Sequence, residues 1–424
     1  MADQSDLMRK NWAGNLTYRA ADLAEPTTID EARELVARSR SIRVLGTRHC
    51  FNDIADTAGI QVSLAGLPQV IEVNDTRDAV RVSGALRYGD VAPVLDAQGL
   101  ALANLASLPH ISIAGAVATG THGSGDRTGS LASAVRALTL LTADGDVRTV
   151  ARGDADFDGA VVSLGALGAV LDVTLDVQPS VPYAQHVFEH PRWDAILEDL
   201  GAVTGAGTSV SIFSTWQRTD AADQVWVKQA EPDATRDGRE ALMARLSAVA
   251  ATHRRHPILS ESAEAATEQG GVPGPWFLRL PHFRMDFTPS AGAEIQSEYL
   301  VPRADAIAAI EAVRAMADRI APLLLVNEIR TVQSDDLWLS SSYGTDVVAL
   351  HFTWRPDGPA VRALLPRLEA ALPASARPHW GKVFTLAGDE VRARYPRWSE
   401  FAALRDRLDP ERTFVNEYLE RLGL

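Results

Sequence analysis

The chain has 424 residues, 46% hydrophobic and 23% charged, and its 41 Lys and Arg against 55 Asp and Glu give a formal net charge of −14. That length supports two or three domains with sizeable cores, while the acidic balance, without any Lys/Arg block, argues against nucleic acid as a partner. One cysteine, Cys50, excludes an internal disulfide and a thiolate metal site, and the lack of an uncharged apolar run of about 18 residues points to a cytoplasmic protein with no membrane span.

Residues 27–39 read as an amphipathic helix: Thr28 and Glu31 have capping-box spacing, and Ile29, Ala32, Leu35 and Val36 share a face. A strand from Ile42 to Leu45 runs into the polar, glycine-opened turn Gly46-Thr47-Arg48-His49-Cys50-Phe51-Asn52. Short apolar runs follow at 60–64, 70–73 and 80–83, and Asp90 is placed to cap a helix through Leu95 that stops at Gly99. Val135–Leu141 and Val147–Val150 flank Ala-Asp-Gly as a hairpin; Val161–Leu167 reads as a short helix, and Val170–Val177 alternates with strand period. Pro179 and Pro182 then mark a boundary near 178.

Beyond it, strand-like pieces at 185–188, 209–216, 224–229 and 293–300 are separated by helices, with surface loops expected at 231–240 and 254–275. A helix is expected over Ala304–Ile320, with Ile307, Ile310, Val313 and Ala317 inward, then strands Leu323–Val332 and Val347–Trp354 and a helix Val361–Leu372. This order suggests an α+β domain on a mostly antiparallel sheet.

Two groups of residues carry chemistry. Leu105–Gly125, almost uncharged and holding Gly115, Gly120, Gly123 and Gly125, reads as a backbone cradle for a large phosphate-bearing ligand, or else as a tight buried turn system. His49, beside a bound cofactor, can be a covalent anchor, a base or a hydrogen-bond donor. The second group is Glu328 and Arg330, His351 and Thr353, and Lys382 after Trp380-Gly381. Each strand pair shares a face and interrupts an apolar run, so its ionisable groups either pair with one another or face a site.

GTRHCFN, ASLPHISIAGAVATGTHGSG, EIRTV, HFTW and HWGKVF, in that order, resemble the alditol oxidases, flavoproteins of the vanillyl-alcohol-oxidase type. The likeness runs from NWAGN at 11–15 to FVN at 414–416. It implies an α+β fold: a two-part FAD-binding domain of the p-cresol-methylhydroxylase (PCMH) type over residues 1–178, an antiparallel-sheet substrate domain over 179–375, and a C-terminal return to the FAD domain over 376–424. It further implies FAD attached covalently through His49, and oxidation of a polyol's terminal alcohol to the aldehyde, with O2 reduced to hydrogen peroxide by a monomer.

By the same resemblance, Val44, Gly46, Thr47, Arg48, His49 and Cys50 hold the cofactor from the first motif. Ser107, Ser112, Gly115, Thr119, Gly120, His122 and Gly123 do so from the second, and Asn416 from the end of the chain. Ser107, Glu328, Arg330, Thr353 and Lys382 bind the polyol, with His351, Lys382 and Arg330 at the reacting end. His351 is the expected proton acceptor, because an imidazole titrates nearest neutral pH. Arg48 stands where the family has a small residue, and Cys50 where it commonly has serine. A flavin dehydrogenase or lactone oxidase of the same fold, and a non-catalytic flavin-binding protein, are the alternatives.

Overall fold

The computed structural model describes residues 9–287 and 293–424, so residues 1–8 of the expected first domain lie outside the described residues. The helix Ile29–Arg38 begins with one half of the capping box that the sequence predicts, Thr28 Oγ1 accepting the Glu31 N–H at 3.2 Å, while Glu31 Oε2 accepts the Thr27 N–H at 2.7 Å, one residue before the cap. Its buried Ala32, Leu35 and Val36 pack with Ile42 and Val62 of a parallel sheet ordered Asp22–Ala24, Ile60–Val62, Ile42–Val44. A second, antiparallel sheet is ordered 71–73, 79–83, 169–176, 135–141, 147–151. In its central strand Ala169–Asp176, buried and half-buried residues alternate without a break.

The largest sheet is antiparallel throughout and has eight strands, ordered 249–250, 183–189, 224–230, 209–214, 324–332, 347–354, 295–302, 377–378. One face packs Ile329, Leu350 and Phe352 against the helices Ala306–Ala315 and Gly358–Ala371. Burying each such side chain contributes about 1.5–3 kcal/mol. That fixes the register, because a one-residue slip would drive Glu328 and His351 into this core. The opposite face carries Glu298, Glu328, Arg330, His351 and Thr353 toward the other two sheets, with Glu328 and Glu298 flanking His351 in the neighbouring strands.

Four expectations need correction. The helix at 88–96 starts two residues before Asp90, whose carboxylate instead reaches back to the Arg87 N–H at 3.2 Å. The helix expected over 161–167 stops at Ala160; Leu164 and Gly165 take positive φ (54° and 68°), and their carbonyls accept from buried Arg43. Half of the loop expected at 231–240 belongs to the helix Arg236–Arg245, and the irregular 254–275 segment buries His256, Ile258 and Thr267. In Ala306–Ala315 the apolar stripe passes through Ala309, Ile310 and Val313, leaving Ile307 about half exposed; the helix breaks at Met316 before Ala317–Ile320.

Candidate active site

A cavity runs between the large sheet and the two smaller ones, with about 1900 Å³ free of protein atoms, its open mouth included. One end is walled by Val44, Gly46, Thr47, Arg48, His49 and Cys50 with Ser112, Gly115 and Thr119 opposite; the other is walled by Glu298, Glu328, Arg330, His351, Thr353 and Lys382. Backbone and side-chain amides tie the two ends together. The Phe51 N–H donates to the Gly381 carbonyl at 2.7 Å, and Asn52 Nδ2 donates to the carbonyls of Trp380 (2.7 Å) and Lys382 (2.8 Å).

At the first end, Gly46 lets the backbone come close to the Ser112 hydroxyl. A Cβ there would sit 2.4 Å from Ser112 Oγ, and Thr47 Oγ1 bridges the same junction between the Ser112 N–H (3.0 Å) and His49 Nδ1 (3.1 Å). The His49 ring stacks on Trp12 at 5.3 Å, and its Nε2 is buried without a hydrogen-bond partner. Burial holds this imidazole down at about 4, so it stands in the cavity as a neutral nucleophile with one nitrogen free. These features fit a large cofactor bound beside His49. Arg48 takes φ 64°, a conformation favoured by glycine, and its carbonyl accepts the Trp12 N–H at 2.8 Å. Cys50 packs where a Cβ on Gly381 would meet its Sγ at 3.2 Å, and burial pushes its thiol up to about 11.

At the second end the charges converge on Glu298, which is 1% exposed. Its Oε1 accepts from Arg330 at 2.9 Å and lies 3.0 Å from His122 Nε2, not in an aligned hydrogen bond. Its Oε2 lies 2.7 Å from Lys382 Nζ and 3.3 Å from His351 Nδ1. Lys382 Nζ is also 2.5 Å from His351 Nδ1, while His351 Nε2 meets Thr353 Oγ1 at 3.0 Å. Glu328 Oε1 accepts from His282 Nε2 at 2.7 Å and is 3.6 Å from Arg330 Nε. Arg330 thus pairs first with Glu298, and Glu328 is held mainly by a histidine.

Two carboxylates and two cations balance in this dry cluster. Burial pushes the Glu298 carboxyl up, but Lys382 and Arg330 hold it well below the usual range; Arg330 and His282 do the same for Glu328. Burial depresses Lys382, with Glu298 opposing. It also depresses His351 and His282 to about 4, and His379 well below its ordinary value. In the unfolded chain each imidazole takes up a proton near pH 6.5, whereas in the folded protein His351 and His282 do so only near 4, and His379 only well below its ordinary value. Their stabilisation is therefore complete above 6.5 and lost as pH falls toward 4. Between pH 7 and 5.5 His351 and His282 alone should remove up to about 2.5 kcal/mol, or about 3 °C of Tm, with His379 acting in the same direction. The carboxylates do not contribute to this window, since theirs opens below about 4.5. A Tm that is flat from pH 7 to 5.5 would mean that these rings are already charged in the folded state.

The structure brings Ser107, Glu328, Arg330, His351, Thr353 and Lys382 to one cavity with His49. Three expected cofactor residues stand behind the wall. Gly123 is packed so that a Cβ would lie 2.4 Å from Asn104 Oδ1, Gly120 turns the chain at φ 63°, and Asn416 donates its amide to the carbonyls of Asp53, Ile54 and Asp56. His122 faces Glu298. The sequence reading passed over Glu298, His282, Lys228 and His379. Glu298 carried the same signal as Glu328, a carboxylate inside an apolar strand.

Among the described residues no helix is long and apolar enough to cross a membrane. Residues 20–151 match a family described as FAD binding domain, and residues 292–422 match D-arabinono-1,4-lactone oxidase. The chain is 48% identical over 416 residues, 97% of its length and 98% of the relative's, to an alditol oxidase of Streptomyces sp. (strain IKD472 / FERM P-14339). It is 29% identical over 434 residues to an L-gulono-1,4-lactone dehydrogenase of Mycobacterium tuberculosis, covering 97% and 98% of the two chains. A solved cholesterol oxidase from B. sterolicum shares the fold at TM-score 0.75 and 14% identity, over 97% of this chain and 96% of that one.

Proposed function

Since the chain belongs to the alditol oxidase family of FAD flavoproteins, we propose that it oxidises the terminal primary alcohol of a polyol such as xylitol or sorbitol to the aldehyde, reducing O2 to hydrogen peroxide. The observation that carries this reading is the set of polar groups at the sheet end of the cavity: two carboxylates, a guanidinium, an ammonium and a hydroxyl, all lining one chamber with His49. Such a set pairs many hydroxyls and leaves a simple alkyl alcohol with unpaired partners. The test is an anaerobic titration with xylitol followed by air. Flavin bleaching and then recovery with peroxide is expected; no bleaching by any C4–C6 polyol would refute the reading, and bleaching only by a sugar lactone would favour the lactone relatives.

FAD, when bound, supplies the hydride acceptor and the passage of electrons to oxygen. The protein supplies the rest. Glu328, Ser107 and Thr353 hold hydroxyls along the chain, and Lys382 with Arg330 presents positive charge where the alkoxide develops. His351 accepts the hydroxyl proton, though for a different reason from the one the sequence suggested. Its ring is held far below neutrality, so it is unprotonated at working pH, and Glu298 favours the imidazolium once the proton arrives.

His49 is the proposed covalent anchor, supported by its free, buried nitrogen and its neutral state. After denaturation and gel filtration the flavin should stay with the parent chain and separate from His49→Ala. Complete release from the parent would remove the covalent link and leave the FAD site standing.

A further inference from the structure

Lys228 sits mid-strand in Gln224–Ala230, 1% exposed, and is not part of the cavity wall. A buried ammonium is costly, and a methionine of similar length would fill the space without that cost. Its Nζ donates to the Leu280 carbonyl and to His282 Nδ1, the latter at 2.8 Å. The His282 ring is boxed edge-on by Phe213 at 5.5 Å and Trp226 at 5.3 Å, and its Nε2 faces Glu328 Oε1 at 2.7 Å. The same short segment grips the other wall, because the N–H groups of His282 and Phe283 both donate to the Ser107 carbonyl, at 3.1 and 3.2 Å.

We propose that Lys228 and His282 form a positioning pair for polyol recognition: Lys228 sets the tautomer of His282, and His282 aims the Glu328 carboxylate into the cavity. An ammonium has only protons to offer, so His282 Nδ1 must accept. A neutral ring then carries its one proton on Nε2, where it donates to Glu328 Oε1 and leaves the second carboxylate oxygen for a substrate hydroxyl. Without Lys228 the His282 Nδ1 lone pair loses its donor, and the cation that keeps a second proton off the ring is gone, so the ring can charge and close on Glu328. Burial depresses Lys228 to about 7. The arrangement survives its deprotonation, since a neutral amine keeps two N–H donors for the same two acceptors.

This inference rests on the polyol-oxidase reading, and one experiment separates their failures. Anaerobic stopped-flow reduction by xylitol gives a dissociation constant and a limiting rate, and 1-butanol serves as the alcohol with no further hydroxyls. If xylitol does not reduce the parent holoenzyme, the functional reading fails. Given an active parent, Lys228→Met should weaken xylitol binding about tenfold and lower the xylitol over 1-butanol ratio of kcat/KM by a similar factor. The limiting reduction rate should fall less than the binding does. The second arm compares His282→Gln, whose amide reaches the Nε2 position and can still donate to Glu328, with His282→Asn, whose amide cannot. The Gln variant should keep the parent ratio within about threefold and the Asn variant should lose about tenfold. An unchanged ratio in Lys228→Met overturns the proposal, as does equal behaviour of the Gln and Asn variants. The second comparison decides the matter if Lys228→Met does not fold.

Discussion

Lys382→Met should lower the rate of flavin reduction by xylitol about 10²- to 10³-fold, a loss of roughly 2.7–4 kcal/mol of transition-state stabilisation, while FAD content stays at the parent level. The cofactor is spared because Lys382 supports the His49 loop through its backbone: its carbonyl accepts from Asn52, and the neighbouring Gly381 carbonyl accepts from Phe51, whatever the side chain. The side chain is what the reaction loses. Burial presses His351 down most; Nζ, 2.7 Å from Glu298 and 2.5 Å from His351, is the stronger of the two cations that add to it, and its removal leaves Glu298 to pull the ring up against burial and Arg330. The imidazole then rises from about 4, and a ring already protonated cannot accept a hydroxyl proton. The limiting reduction rate should therefore show its acid limb at a higher pH than in the parent. Stopped-flow traces across pH 5.5–8.5 measure both effects. A rate within about threefold of the parent, or roughly 0.65 kcal/mol, together with a flat profile would reduce Lys382 to a structural residue.

Glu298→Gln should damage both stability and turnover. The substitution keeps the side chain's shape but removes the carboxylate that Arg330 and Lys382 both contact within 3 Å. The cluster passes from charge balance to an excess of one positive charge in a dry site, and breaking a buried pair in this way costs about 3–5 kcal/mol. Lys382 also loses the group that raises its affinity for a proton, so it tends to discharge, and the cation facing the alkoxide is lost without being mutated. The reduction rate should fall by about 10² or more, since a preorganised charge is worth that much in a closed site. Denaturant midpoints at matched FAD occupancy, read beside single-turnover rates, give the two losses separately. Stability within about 1 kcal/mol of the parent would mean that the cations have other partners, against the distances seen here.

What was legible in the sequence follows from what is local. Glu328 with Arg330 and His351 with Thr353 could be read because period-two spacing puts each pair on one face of a strand that is otherwise apolar. The antiparallel substrate sheet could be expected from its element order. Glu298 is a strand carboxylate as Glu328 is, but no ionisable residue stands two positions from it, and it becomes the centre of the cluster only when Ile295–Pro302 pairs with Val347–Trp354 and the chain returns at Lys382. Lys228 escaped for another reason. In a one-sided sheet a strand lysine marks the solvent face, but Gln224–Val227 and Lys228 are buried together, so alternation carries no signal there. The misjudged helix at 161–167 shows tertiary demand overriding apolar spacing: Arg43 recruits the Leu164 and Gly165 carbonyls, which a helix would have used internally.

The stitching of residues 413–416 to the first hundred has a consequence for how the protein is made. Ile42 donates its N–H to the Thr413 carbonyl at 2.8 Å, Arg43 reaches the Phe414 carbonyl at 2.7 Å, and the Asn416 amide closes on the carbonyls of the turn that follows the His49 loop. None of these bonds can form while residues 413–416 are still inside the ribosome. Arg43 and the Phe414 carbonyl it reaches are 371 residues apart in the chain, so the His49 loop is synthesised long before its supports. A nascent chain therefore has no finished place for flavin until residues 413–416 have left the ribosome, and loading follows that point.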